Sequence, residues 1–231
     1  MAVLFRIKIC GITSVADAIL AAESGADAVG LNFFPRSPRC VSPELARSIA
    51  RALPPSVRKV GVFVNSPAED VLRTAESVGL DLLQVHGDET PEDLCRLGSW
   101  PLLRAFRLDS SGLGPVLGYL DHGRELGRLP EAILVDAFRP GAYGGTGTVA
   151  DWKLVRDLGS RLAELPVVLA GGLTPANVAA AIAAAAPAAV DTASGVESSP
   201  GHKEAVLVRQ FVQRALAAFA QSTARSGPAV Q

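Results

Sequence analysis

Cys10 draws attention because of its neighbours. In Phe5-Arg6-Ile7-Lys8-Ile9-Cys10-Gly11-Ile12-Thr13, Phe5, Ile7 and Ile9 alternate with Arg6, Lys8 and Cys10, the period of two that a β-strand gives. The face that carries Cys10 therefore carries Lys8. A thiol at the end of a strand, with a cation two residues below it, is a place to look for proton chemistry. A nearby ammonium favours the thiolate and draws its pKa from about 8.5 toward neutrality. Lys8 is expected to point inward and pair with an acid, because an unpaired buried ammonium is very costly. The plain alternative for Cys10 is a small buried hydrophobe. Cys40 and Cys95 have no such setting and read as structural thiols.

Asp136 closes the apolar run Ala132-Ile133-Leu134-Val135-Asp136, on the face of Ala132 and Leu134. If Leu134 fills an interior, Asp136 stands at its mouth, where a partly desolvated carboxyl can act as a general acid. The plain alternative is a helix cap, but 137–147 is glycine-rich rather than a helix start. Asp191 holds the matching position on a later run. Arg39, after Ser37-Pro38, can clamp a carboxylate through two parallel hydrogen bonds, or be an ordinary solvated loop arginine. His86 reads as a lining residue. Gly171-Gly172 and Ser194-Gly195 follow the last two strand-like runs, where backbone amides can hold a phosphate and glycine lets the chain approach it. Ordinary tight turns are the alternative there. Gly144-Gly145-Thr146-Gly147 lacks a dinucleotide fingerprint and reads as a lid.

These residues need elements to place them. Strand-like runs span Phe5–Cys10, Asp27–Phe34, Lys59–Val64, Leu80–His86, Leu102–Phe106, Ala132–Asp136, Val167–Ala170 and Ala188–Thr192. Helical patterns lie between them, and a last helix runs from about Glu204 to Ala220, with a polar, frayed tail over 221–231. The glycine-rich segment Ser110–Arg128 is the weakest helical pattern. Thr13 or Ser14 can cap the first helix. The pairs Ser42-Pro43, Ser66-Pro67, Thr90-Pro91 and Thr174-Pro175 place a capping hydroxyl before a proline suited to a first turn. Eight strand–helix units in 231 residues predict an α/β fold, a single (β/α)8 barrel over residues 1–220, with chemistry at the C-terminal ends of its strands. An open doubly wound sheet would carry a glycine-rich fingerprint after its first strand, which is missing here.

Composition narrows the partners. Net charge is −1, from 22 basic and 23 acidic residues, so no excess charge favours nucleic acid or an anionic membrane. Val178–Val190, the longest apolar run, contains Pro187 and falls short of the ~18 residues of a membrane span. There is no basic stretch followed by an apolar one at the start, as a signal peptide has. Three widely spaced cysteines give neither a disulfide framework nor a zinc site. A cytoplasmic protein acting on a phosphorylated small molecule is the expectation.

Seven motifs occur in order: Lys8-Ile9-Cys10-Gly11-Ile12, Ser37-Pro38-Arg39, Val60-Gly61-Val62-Phe63, Gln84-Val85-His86-Gly87, Gly144-Gly145-Thr146-Gly147, Gly171-Gly172-Leu173, and Asp191 through Ser194-Gly195-Val196-Glu197. With them the chain resembles the N-(5′-phosphoribosyl)anthranilate isomerase family of tryptophan biosynthesis along nearly its whole length. The resemblance implies a cofactor-free Amadori rearrangement. It assigns Asp136 as general acid, Cys10 as the base that removes the C2′ proton and Arg39 as the anthranilate-carboxylate site. Asp191 would position the substrate, and the Gly172 and Ser194-Gly195 loops would hold the phosphate. It leaves monomer or homodimer open. Two departures stand out: Lys203-Glu204 where the family has Lys-Asp, which bears on the start of the last helix, and Cys40 where an aromatic is common. The rivals are a histidine-pathway or dual-pathway barrel isomerase, which has an aspartate in place of Cys10, and a non-catalytic sugar-phosphate-binding barrel.

Overall fold

The structure is a computed structural model that describes residues 5–108, 112–136, 149–162 and 164–225. The strands are β1 (Ile7–Cys10), β2 (Ala28–Asn32), β3 (Arg58–Phe63), β4 (Leu82–Val85), β5 (Leu102–Arg107), β6 (Ala132–Asp136), β7 (Val167–Ala170) and β8 (Ala189–Thr192). Each pairs in parallel with the next, and β8 returns to β1, closing the barrel. Helices α1 (Val15–Glu23), α2 (Pro43–Ala52), α3 (Ala68–Val78), α4 (Pro91–Arg96), α5 (Gly114–Glu125), α6 (Val149–Arg161), α7 (Val178–Ala185) and α8 (Ala205–Arg225) complete the alternation. This is the expected (β/α)8 barrel.

The period of two divides the core. Outward strand residues such as Ile7, Ile9, Val29, Leu31, Ile133 and Val135 pack against the helices in one large cluster. Inward residues form a second, smaller one from Ala28, Val60, Leu82, Leu103, Leu134, Val168 and Ala189. Lys8 lies opposite Ala28 on one side and Asp191 on the other, and is fully buried. The several alanines of the interior cluster leave volume for the long lysine stem.

Helix starts only partly follow the hydroxyl–proline pairs. The Ser14 hydroxyl caps α1 and the Ser42 hydroxyl caps α2, while Thr90 and Asp93 form a capping box on α4. Pro67 itself bounds α3 without a side-chain cap, and α7 begins only at Val178. Asn177 accounts for that delay. Its side chain accepts from the Thr174 N–H at 2.7 Å and donates to Gly172 O at 3.0 Å, holding the segment as a loop. α8 runs on to Arg225, past the expected end at Ala220. A hairpin of β9 (Glu197–Ser199) and β10 (His202–Lys203) precedes α8, in a stretch whose sequence shows no strand period. The expected lid at 144–147 lies outside the described residues.

Candidate active site

A cavity of about 370 Å³ opens at the C-terminal ends of the strands. Every nominated residue lines it: Cys10, Arg39, His86, Asp136, Gly171, Gly172, Asp191, Ser194 and Gly195. Alternation puts Cys10, Asp136 and Asp191 on the inner face of their strands, and the following turns bring the glycines to the rim.

Below Cys10, Lys8 Nζ donates to Asp191 Oδ1 at 2.8 Å, both groups being buried. Lys8 is thus inward and acid-paired, as its strand face requires. Burial opposes the Lys8 charge, but Asp191 and the neighbouring Cys10 outweigh it and hold the ammonium above its ordinary pKa. The thiol departs from expectation. Burial pushes Cys10 up, and the attraction of Lys8 and Lys203 does not overcome it. The reason is that Lys8 is already matched by Asp191, whose own charge also raises the thiol. Gly30, the register partner of Cys10, leaves room for the sulfur. A Cβ on Gly30 would stand 2.6 Å from Cys10 Sγ.

Cys40 and Cys95 are exposed. The structural role expected for them is therefore not a buried one.

Two residues to which the sequence assigned no role in the site hold the rim together. Lys203, its side chain fully buried, donates to Cys10 O at 2.6 Å, Ala193 O at 3.1 Å and Glu197 Oε1 at 2.7 Å. The hairpin thereby ties the end of β1 to the loop after β8. Glu197 also accepts from Arg39, at 2.8 Å from Nε and 2.5 Å from Nη2. One edge of the Arg39 guanidinium is thus occupied, and the arginine's stem lies on Gly11, where a Cβ would approach Arg39 Cδ to 2.4 Å. Burial works against the Glu197 charge, yet the bonds from Arg39 and Lys203 hold its carboxyl below the usual value. The sequence cues were Glu197, at the end of the last motif, and Lys203-Glu204: Lys203 serves the base of the site, while Glu204 Oε1 accepts from the Val206 N–H at 3.4 Å at the start of α8.

The loops after β7 and β8 are stitched to each other. Thr192 Oγ1 donates to Leu173 O at 2.7 Å. Gly195 packs so closely that a Cβ there would lie 1.8 Å from the same oxygen. Gly171 and Gly172 take φ of 92° and 63°, the left-handed region that glycine favours. Ser194–Val196 forms a 3-10 turn. Gln84 Nε2 lies 3.2 Å from His86 Nδ1, and burial, the largest cause, lowers the His86 pKa, so the ring is neutral near pH 7.

Beneath the loop carrying His86, Arg104 donates to Val85 O at 3.1 Å, Gly87 O at 3.0 Å and Glu89 O at 3.2 Å. It stands against both the Phe106 and Tyr119 rings, 5.0 and 5.1 Å from their centroids, and the two rings meet edge to face at 5.2 Å. In the sequence Arg104 was one residue of a strand-like run, and nothing marked it as a loop anchor.

The comparisons with known proteins agree with this geometry. The family model described as N-(5′-phosphoribosyl)anthranilate (PRA) isomerase matches residues 7–214. A relative of that name from Rubrobacter xylanophilus is 49% identical over 214 residues, 91% of this chain and 98% of the relative. One from Geobacter metallireducens is 47% identical, over 92% of this chain and 99% of its own. The crystal structure of phosphoribosyl anthranilate isomerase from Thermotoga maritima superposes with a TM-score of 0.80 at 41% identity, over 92% and 99% of the two chains. Another phosphoribosyl anthranilate isomerase, solved with reduced 1-(o-carboxyphenylamino)-1-deoxyribulose 5-phosphate, gives 0.77 at 40% identity, with the same coverage. The chain belongs to the N-(5′-phosphoribosyl)anthranilate isomerase family.

Proposed function

We propose that the protein rearranges N-(5-phosphoribosyl)anthranilate to 1-(2-carboxyphenylamino)-1-deoxyribulose 5-phosphate, a step of tryptophan biosynthesis. The observation that carries this is the opening of Cys10 and Asp136, from β1 and β6, into one cavity with the glycine loops of β7 and β8. Asp136 gives its proton to the ribose ring oxygen as the C1′–O bond breaks, leaving an iminium between C1′ and the anthranilate nitrogen. That cation acidifies the C2′ proton, which the Cys10 thiolate removes. The electron pair moves into the C1′–C2′ bond, and the resulting enolamine tautomerises to the ketone.

Burial raises the free thiol, so the positive iminium beside it is what makes the thiolate accessible during turnover. The Gly171-Gly172 and Ser194-Gly195 amides hold the phosphate. Arg39, steadied by Glu197, meets the anthranilate carboxylate with its remaining N–H groups. Asp191 helps to position the substrate, and His86 lines the sugar's path. No cofactor takes part in this scheme.

A Thermotoga maritima relative, 37% identical to this chain, is described as dimeric, and monomers have been generated from it, which supports monomer or homodimer here. The proposed location is the cytoplasm. Among the described residues no helix is long and apolar enough to cross a membrane.

The test is complementation of an auxotroph lacking only this isomerase, with a histidine-pathway auxotroph beside it. Growth of the first alone supports the assignment, and growth of the second points to the dual-pathway or histidine-pathway activity. A Cys10→Ala/Asp136→Ala variant is expected to keep binding the reduced product analogue while turnover disappears. Full turnover in that variant would contradict the assigned roles.

A further inference from the structure

Gln84, on β4, and His86, just past its end, share the inner face of the barrel and both line the cavity. Gln84 is almost completely buried. One polar atom of each is used on the other, through the 3.2 Å contact between Gln84 Nε2 and His86 Nδ1. The remaining two, Gln84 Oε1 and His86 Nε2, are buried with no hydrogen-bond partner among the described residues. Orphaned atoms of this kind are costly, and in a binding cavity they mark where a ligand atom belongs.

Their chemistry defines the ligand group. The imidazole is neutral, because burial, together with Arg107 and Lys8, outweighs the attraction of Asp136 and Asp191. It therefore carries a single N–H. If Gln84 donates to Nδ1, the ring proton is on Nε2 and Gln84 Oε1 is a free acceptor. Turning the amide over reverses both roles. In either arrangement the pair offers one donor and one acceptor. An anion is poorly served by a pair that includes an acceptor, and the phosphate loops lie across the barrel, after β7 and β8. A hydroxyl, which donates and accepts at once, satisfies both atoms.

We propose that Gln84 and His86 form a hydroxyl-reading subsite, which takes one secondary hydroxyl of the ligand's sugar-phosphate chain as donor to one residue and acceptor from the other. This rests on the proposed use of the cavity for the phosphorylated aminosugar. Gln84 is then a specificity-determining residue rather than filler of the barrel interior. Its pairing with His86 fixes which ring nitrogen carries the proton.

The test uses the reduced product analogue and three versions of it, each lacking one chain hydroxyl, titrated calorimetrically into wild type and Gln84→Met. Methionine keeps the length and packing of glutamine without its polar atoms. In wild type one deoxy version should bind at least about tenfold more weakly than the parent, since a site built to hydrogen-bond a hydroxyl rejects the analogue lacking it. In Gln84→Met the parent and that version should bind within about threefold of each other. His86→Leu provides a second route to the same collapse should Gln84→Met not fold. Wild type binding all three deoxy versions as tightly as the parent overturns the subsite, and so does a penalty that persists unchanged in the variants. Failure of the parent itself to bind wild type would instead remove the reading of the cavity, and the subsite with it.

Discussion

Lys8 and Asp191 face each other across the seam where the barrel closes, register partners on β1 and β8 joined by an Nζ–Oδ1 contact of 2.8 Å. The pair lies directly under Cys10. It keeps an ammonium charged in an apolar interior, and for the same reason leaves little surplus positive charge for the thiol above it. Folding and the poise of the base are linked through this contact.

Lys8→Met should destabilise the barrel by about 3–5 kcal/mol, because it strands a buried carboxylate. Lys8→Met/Asp191→Asn should recover most of that stability in urea unfolding, since no lone charge remains. Activity should not recover with it. A single variant as stable as wild type would mean that the pair contributes nothing to folding.

Gly30→Ala places a methyl group 2.6 Å from the Cys10 sulfur. The expected outcome is a fall in kcat of at least about a hundredfold, with KM little changed, as a displacement of about 1 Å can cost that much. Gly195→Ala, whose Cβ would meet Leu173 O at 1.8 Å, should act on the other side of the split. It should raise KM and weaken inhibition by inorganic phosphate. Steady-state kinetics of the two variants checks the division, and an interchange of the two effects would contradict the placing of base and phosphate loops.

Glu197→Gln removes the charge that steadies Arg39 and Lys203. Loss of hydrogen bonds to a charged group costs about 1.5–3 kcal/mol, so KM should rise roughly tenfold or more. There is also a pH consequence. The Glu197 carboxyl is held below its ordinary value in the folded protein, so it adds stability above the unfolded value of about 4.3 that is lost as pH falls through the folded pKa. Melting temperatures of wild type and Glu197→Gln should therefore converge on acidification below about pH 4. Curves that stay parallel would show that this carboxylate is not a source of stability.

How much of this was legible in the sequence depends on the length scale of the pattern. The period of two in Phe5–Cys10 and Ala132–Asp136 is local, and it groups Lys8 with Cys10, and Asp136 with Leu134, on one strand face each. The glycine pairs after β7 and β8 were legible for the same reason. The roles of Lys203 and Glu197 were not, because strands of three and two residues carry no periodicity, and Arg39 and Cys10, which they hold, lie far away in the chain. The direction of the Cys10 shift was also hidden. Lys8 lies two residues off in sequence, whereas Asp191, which neutralises it, is brought in only by closure of the barrel. Thr174-Pro175 looked like Thr90-Pro91, and only the fold-back of Asn177 distinguishes them.

Cys40 and Cys95 are exposed, whereas Cys10 is half-buried at the cavity floor with its thiol raised by burial; burial also raises the Cys40 thiol, which is nonetheless open to solvent. At pH 7.5 a thiol reagent should modify two cysteines quickly and the third slowly, and the reduced product analogue should slow the third further. Cys40→Ser/Cys95→Ser should keep the wild-type kcat and hold stability to within about 0.5 kcal/mol, as surface changes do. Rapid labelling of all three thiols would contradict the half-buried, raised Cys10 thiol.

The central claim is that Cys10 takes the proton, and the pH dependence of kcat/KM tests it most directly. The acidic limb reports the free base. With the thiol raised by burial, kcat/KM in wild type should climb through neutrality and level off only above the ordinary thiol value of about 8.5. Cys10→Asp substitutes a carboxylate with a reference value near 3.9. Its limb should move well below neutrality, even though the rate falls. Asp136→Asn, which removes the proton donor, should lower the whole profile. A limb that stays where it was in Cys10→Asp would show that another group is the base.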